Sequence, residues 1–113
     1  MSLEIFKVLK KQFTKVLKKK FDKKSIIVAY EPIWSIGTGK IPNQKDLLKT
    51  TIHIKKVLKT IFRKNSPAVL YGGSVDENNV KAFKQIKEID GFLIGGASKS
   101  SKKFIDIIRN YYR

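Results

Sequence analysis

Glu31 stands where an apolar run stops. Ile26, Ile27 and Val28 form an unbroken β-branched stretch, the pattern of a strand in a parallel sheet covered on both faces. Pro32 follows the acid at once and, with no N–H to donate, ends the strand. A loop comes next, with an apolar body of Ile33, Trp34 and Ile36 and a tip of Gly37, Thr38 and Gly39. A carboxylate at the C-terminal end of a parallel strand, under such a loop, is arranged as a base beneath a lid. On spacing alone, a strand-end glutamate in a surface salt bridge is an equal reading. Two more places have residue types suited to binding. Gly72-Gly73-Ser74 follows the short apolar run Ala68–Tyr71, and Gly95-Gly96 follows Phe92-Leu93-Ile94. Glycine lets a backbone approach a ligand closely, and Ser74 adds a hydroxyl donor. Taken alone, Gly72-Gly73-Ser74 reads better as a tight strand-to-helix turn than as a binding loop.

The elements that must position these residues alternate along the chain. Residues 1–24 predict a basic amphipathic helix with Ile5, Leu9, Phe13, Val16 and Leu17 on one stripe and lysines elsewhere. Residues 25–64 predict strand, loop and a second helix, opened by Pro42 and Asn43 and carrying Leu47, Ile54, Leu58 and Ile61 on one face. His53, the single histidine, projects away from that face toward solvent and is not expected to be catalytic. Residues 65–90 predict strand, loop and a helix capped by Asp76 to Asn79 and running through Val80, Phe83, Ile86 and Ile89. Residues 91–113 predict a third strand, the Gly95-Gly96 loop, and a last helix capped by Ser98 or Ser100 and turning Phe104, Ile105 and Ile108 inward. Strands alternating with helices imply an α/β fold, with about three parallel strands, four helices and right-handed crossovers.

Composition excludes several classes. The 113 residues contain no cysteine, which leaves no disulfide framework and no thiolate metal site. No apolar run approaches the ~20 residues of a membrane span, and no secretory signal is visible. The net charge of +16 comes mostly from lysines spread over helices, which fits solvated helix faces better than a nucleic-acid-binding tract.

Three stretches together resemble triosephosphate isomerase: Tyr30-Glu31-Pro32-Ile33-Trp34-Ser35-Ile36-Gly37-Thr38-Gly39-Lys40, Tyr71-Gly72-Gly73-Ser74-Val75, and Gly91 through Ser98. They stand in the family's order with helix-length spacers between them. The resemblance covers nearly the whole chain, but a (β/α)₈ barrel needs roughly 250 residues, so the chain matches a C-terminal part of one. It implies a partial TIM barrel: the last three β/α units and the helix before them. It also implies Glu31 as the catalytic base, and Gly37, Ser74, Gly95 and Gly96 as the groups whose N–H donors meet a substrate phosphate. Pro32, Ile33, Trp34, Ser35, Ile36, Thr38, Gly39 and Lys40 would form the lid, and Ile36 and Leu93 would close around the glutamate. A carboxylate is a weak base in water, and this enclosure would strengthen it. No metal or cofactor is implied.

The implied reaction interconverts dihydroxyacetone phosphate and glyceraldehyde 3-phosphate through an enediolate, in cytoplasmic glycolysis and gluconeogenesis. The family's active-site lysine and electrophilic histidine belong to the first half of the barrel, and neither motif is present. Lys40-Ile41-Pro42 also departs from the family's usual hinge. The chain is therefore expected to be inactive without an N-terminal half-barrel. The family is homodimeric, but its dimer contacts lie largely in that first half. Open strand edges favour association with the missing half or with a second copy. Two other classes fit the same residues: a non-catalytic basic module for anions or nucleic acid, and a structural half-barrel that only self-associates.

Overall fold

Three short parallel strands carry the fold in the computed structural model, which describes residues 3–18, 20–32, 40–63 and 66–113. The elements are α1 (Leu3–Val16), β1 (Ile27–Tyr30), α2 (Gln44–Phe62), β2 (Ala68–Tyr71), β3 (Gly91–Phe92) and α3 (Ser101–Tyr112), with 3₁₀ turns at Lys23–Ser25, Val80–Phe83 and Gly96–Lys99. The strands lie in the order β1-β2-β3, all parallel. Val28 pairs with Val69, Tyr30 with Tyr71, and Tyr71 in turn with Phe92. This is the α/β arrangement of a partial barrel.

Side-chain alternation divides the sheet into two unlike faces. Val28, Val69 and Tyr71 are buried under the helices. Ile27, Ala29 and Ala68 point the other way and are exposed, Ile27 by 67%. The apolar run of β1 thus predicts a strand covered on both faces, and only one face is covered. Side chains of further strands would fill the inner face of a closed barrel, and the described residues contribute none. The third strand is also shorter than Phe92-Leu93-Ile94. Only Gly91 and Phe92 are strand, and Leu93 adds one more ladder bond by donating its N–H to Tyr71 O at 3.0 Å.

α2 forms where its sequence signals lie. The Asn43 side chain caps it by accepting the Lys45 N–H at 2.8 Å. Leu47, Ile54, Val57, Leu58 and Phe62 are buried along its inner face. Thr50 and Thr51 are buried among them, which apolar periodicity misses. Each hydroxyl donates to the carbonyl four residues back, Asp46 O at 2.9 Å and Leu47 O at 2.7 Å, so neither is left unpaired. Two clusters result. One joins Val28, Ile54, Leu58, Phe62 and Val69, and the other joins Leu47, Tyr71, Val75, Val80, Phe83, Ile86, Ile89 and Ile107. Leu58 is fully buried between α2 and the sheet. Leu58→Ala is expected to lower unfolding stability by about 2–5 kcal/mol, a large part of the ~5–15 kcal/mol of a typical domain. A urea melt reads it directly.

The helices depart from expectation in four places. α1 ends at Val16 rather than running to residue 24, and Val16 faces solvent while Leu9, Phe13 and Leu17 pack on the sheet cluster. His53 is not solvent-side. Its ring stacks on Phe6 with centroids 4.3 Å apart, and Nε2 lies 3.0 Å from Phe6 O, tying α1 to α2. The segment after Ser74 is a series of 3₁₀ turns instead of an α-helix: Ala82, Lys84, Ile86 and Ile89 each donate to the carbonyl three residues earlier. Its buried residues, Val80, Phe83, Ile86 and Ile89, recur every third position, which matches the three residues per turn of a 3₁₀-helix. Finally, α3 turns Ile107 inward, while Phe104, Ile105 and Ile108 are exposed. Phe104 and Ile108 border a shallow cavity beside Phe92, Ile94 and Tyr111 instead of entering the core.

Candidate active site

Glu31 continues the alternation of Ile27 and Ala29, which brings its side chain to the open face at the C-terminal edge of the sheet. The neighbouring strand ends in Gly72, whose N–H donates to Tyr30 O at 2.9 Å. A side chain at Gly72 would collide with Glu31: an ideal Cβ would stand 2.7 Å from Glu31 Cγ and 3.0 Å from Oε1. Glycine at this place makes room for the glutamate, a requirement that comes from the parallel register and not from turn geometry. Among the described residues Glu31 joins no ion pair, since the two ion pairs present are Lys55–Asp90 and Lys102–Asp106. Of the two readings of Glu31 that spacing leaves open, the surface salt bridge therefore has no partner there.

Parallel pairing brings the C-terminal ends of all three strands to one side. There they enclose a cavity of about 530 Å³, lined by Glu31, Gly72, Gly73, Ser74, Val75, Asp76, Glu77, Leu93, Ile94, Gly95, Gly96, Ala97 and Lys103. Five of the residues singled out from the sequence thus meet at one place: Glu31, Ser74, Leu93, Gly95 and Gly96. Leu93 is 48% exposed, so it borders the glutamate without enclosing it. Pro32 is buried at the strand's end and Lys40 is exposed. Ile33, Trp34, Ser35, Ile36, Gly37, Thr38 and Gly39, the rest of the expected lid, lie outside the described residues.

The loops around the cavity are held by their own hydrogen bonds. Asp76 accepts the N–H groups of Asn78 and Asn79, each at 2.8 Å, and Asn79 Nδ2 donates to Ser74 O at 2.9 Å. Ser98 Oγ donates to Gly95 O at 2.6 Å, and Ser100 caps α3 by accepting the Lys103 N–H at 3.3 Å. Asn110 of α3 reaches back to Glu77 O at 2.6 Å, fixing that helix to the loop after β2. A Cβ built on Gly95 or Gly96 meets no atom within 4 Å, so the backbone there borders open space. One residue before Glu31, on the covered face, burial and then the adjacent Tyr71 push the Tyr30 hydroxyl up from its ordinary value and keep it neutral.

A second cavity, of about 560 Å³, meets the first at Glu31 and runs between α1 and the open edge of β1, lined mainly by Ile5, Val8, Leu9, Phe13 and Ile54. It is mostly apolar, with Gln12 and Tyr30 as its side-chain donors among the described residues. Among the described residues no group of three histidines or acids could hold a metal ion, and no helix is long and apolar enough to cross a membrane. Sequence reasoning missed Glu77 and Lys103 on the wall of the first cavity. No local signal marks them, since their place on the wall depends on how α3 packs against the loop after β2.

A family model described as triosephosphate isomerase matches residues 2–111. The chain belongs to the triosephosphate isomerase family. A triosephosphate isomerase of Chlamydia abortus is 41% identical over 92 residues, covering 79% of this chain and 36% of that protein. One from Bdellovibrio bacteriovorus is 38% identical over 106 residues, 94% of this chain and 44% of that protein. The crystal structure of a triosephosphate isomerase from Bartonella henselae superposes with a TM-score of 0.81 at 28% identity, covering 96% of this chain and 43% of that one. The chain therefore spans less than half the length of the triosephosphate isomerases it resembles.

Proposed function

We propose that the chain supplies the base, the lid and the phosphate loops of a triosephosphate isomerase barrel. The observation that carries this reading is the single cavity formed at the ends of three consecutive parallel strands by Glu31, Ser74, Leu93, Gly95 and Gly96. Glu31 removes a proton from the carbon beside the substrate carbonyl, leaving an enediolate, and returns it to the neighbouring carbon. The phosphate is held by backbone donors at Ser74, Gly95 and Gly96, with Gly37 joining them from the lid. The family is itself a standard example of a carboxylate base working beneath a closing loop. In this chain Ile36 and Leu93 are the apolar groups that would exclude water from Glu31.

The electrophile that polarises the carbonyl comes from elsewhere. His53 is packed between two outer helices and does not line the cavity. The remaining strands of the barrel would carry the electrophile and would also cover Ile27, Ala29 and Leu70 on the open face. A charge of +16 on each chain opposes the alternative cover, a second copy of the same chain, at low salt.

Titration with inorganic phosphate tests the grip without requiring turnover. The amide resonances of Ser74, Gly95 and Gly96 are expected to shift saturably at constant ionic strength. Shifts confined to the lysines of α1 would remove the site from this cavity.

A further inference from the structure

Among the described residues the cavity wall carries more carboxylates than cations. Of those residues, Glu31, Asp76 and Glu77 are carboxylates, and Lys103 is the one cation described there. Asp76 spends one oxygen on two backbone N–H groups. Glu77 Oε2 is shut off from solvent and has no hydrogen-bond partner. An anionic ligand placed against Ser74, Gly95 and Gly96 would feel both acids, and backbone dipoles alone offer it no full positive charge. Lys103 lies in the first turn of α3, its backbone fixed by the Ser100 cap, and it lines the same wall. Among the described residues its ammonium group joins no ion pair.

We propose that Lys103 is a phosphate-binding residue of this chain, adding a side-chain cation to a grip otherwise made of backbone N–H groups. The proposal rests on the reading of the cavity as the phosphate site. A lysine ammonium has three donors, so it can donate to a phosphate oxygen on one side while facing the Glu77 carboxylate on the other. Charge-assisted contacts of this kind are short and strong, although partial exposure limits their net value. The α3 helix thereby becomes part of the ligand site, through a residue that lies beyond both glycine loops.

Inorganic phosphate is the probe, titrated into the whole chain at fixed pH and ionic strength and followed at the Ser74, Gly95 and Gly96 amides. Lys103→Gln is expected to weaken binding about three- to fivefold, and Lys103→Arg to restore most of it. Lys99→Gln removes the same charge from the adjoining turn, away from the cavity wall, and should leave affinity within about twofold. The Glu77→Gln background separates direct contact from simple neutralisation. A lysine that touches phosphate loses the same factor on Lys103→Gln in that background. If the loss disappears there, Lys103 serves Glu77 alone and the proposal is wrong. Unchanged affinity in Lys103→Gln, with the three amides still shifting, overturns the proposal and leaves the phosphate site standing. If those amides do not shift in the unsubstituted chain, the site itself is wrong and the proposal falls with it.

Discussion

Mixed with a chain that supplies the remaining strands of the barrel, the protein is expected to isomerise triose phosphates, and Glu31→Gln to abolish most of that activity. Neither partner alone should exceed background. A general base contributes typically about 10²–10⁴-fold to a rate, so the loss on removing it should fall in or above that range. Glu31→Asp keeps the charge but withdraws the carboxylate by about one carbon–carbon bond, and misplacement by about 1 Å can cost 10²-fold. The variant should therefore fall between the two, with the loss in kcat rather than in KM. Glu31 is exposed and joins no ion pair among the described residues, so neither substitution should disturb folding. Robust turnover by the 113-residue chain alone would show that the electrophile is present after all. Full activity in Glu31→Gln would show that the base is another group.

Gly72→Ala should have almost as large an effect on turnover while barely changing stability. The new methyl group would stand 2.7 Å from Glu31 Cγ and 3.0 Å from Oε1, closer than carbon atoms pack. The Gly72 backbone is held by its bond to Tyr30 O. The glutamate side chain is exposed and turns about single bonds, so it is the group that gives way. Moving it needs little energy, and we expect a stability change below about 1 kcal/mol. Its carboxylate would nonetheless leave the position from which it reaches the substrate carbon, and a loss of about 10²-fold in the complemented barrel follows. Phosphate binding by the Ser74, Gly95 and Gly96 amides should persist, since the methyl group does not face them. Wild-type turnover in Gly72→Ala would mean that the present position of Glu31 is not the working one.

The second prediction depends on a contact that sequence reading does not show. Gly72 reads as a residue of a binding loop, and its tightest neighbour turns out to be the side chain of Glu31, 41 positions earlier. The same holds for Lys103 and Glu77. They are ordinary charged residues in their own helical turns, and they become a pair of walls only because Asn110 ties α3 to the loop after β2.

What the sequence by itself determined is local or repeated often enough to read. Pro42-Asn43 starts α2 because an asparagine side chain can satisfy a free N–H, and Ser100 starts α3 for the same reason. Ala68–Tyr71 is a strand in both readings, and the order of strands and helices gives the parallel sheet. The three family motifs name the residues that later meet in one cavity. Tertiary structure decided what depends on neighbours. Buried residues at every third position after Asn79 suit a 3₁₀ path as well as one side of an α-helix, and packing on Tyr71 and Phe92 selected the former. His53 became a clasp because α1 crosses α2 at that place. Phe104, Ile105, Ile108 and Ile27 are apolar yet exposed, since apolar character records what a residue is suited to bury against and not whether the burying surface is on the same chain. Caps and periodicity act within a few residues, whereas the convergence of Glu31, Ser74 and Gly95 is produced by crossovers that place distant strand ends side by side.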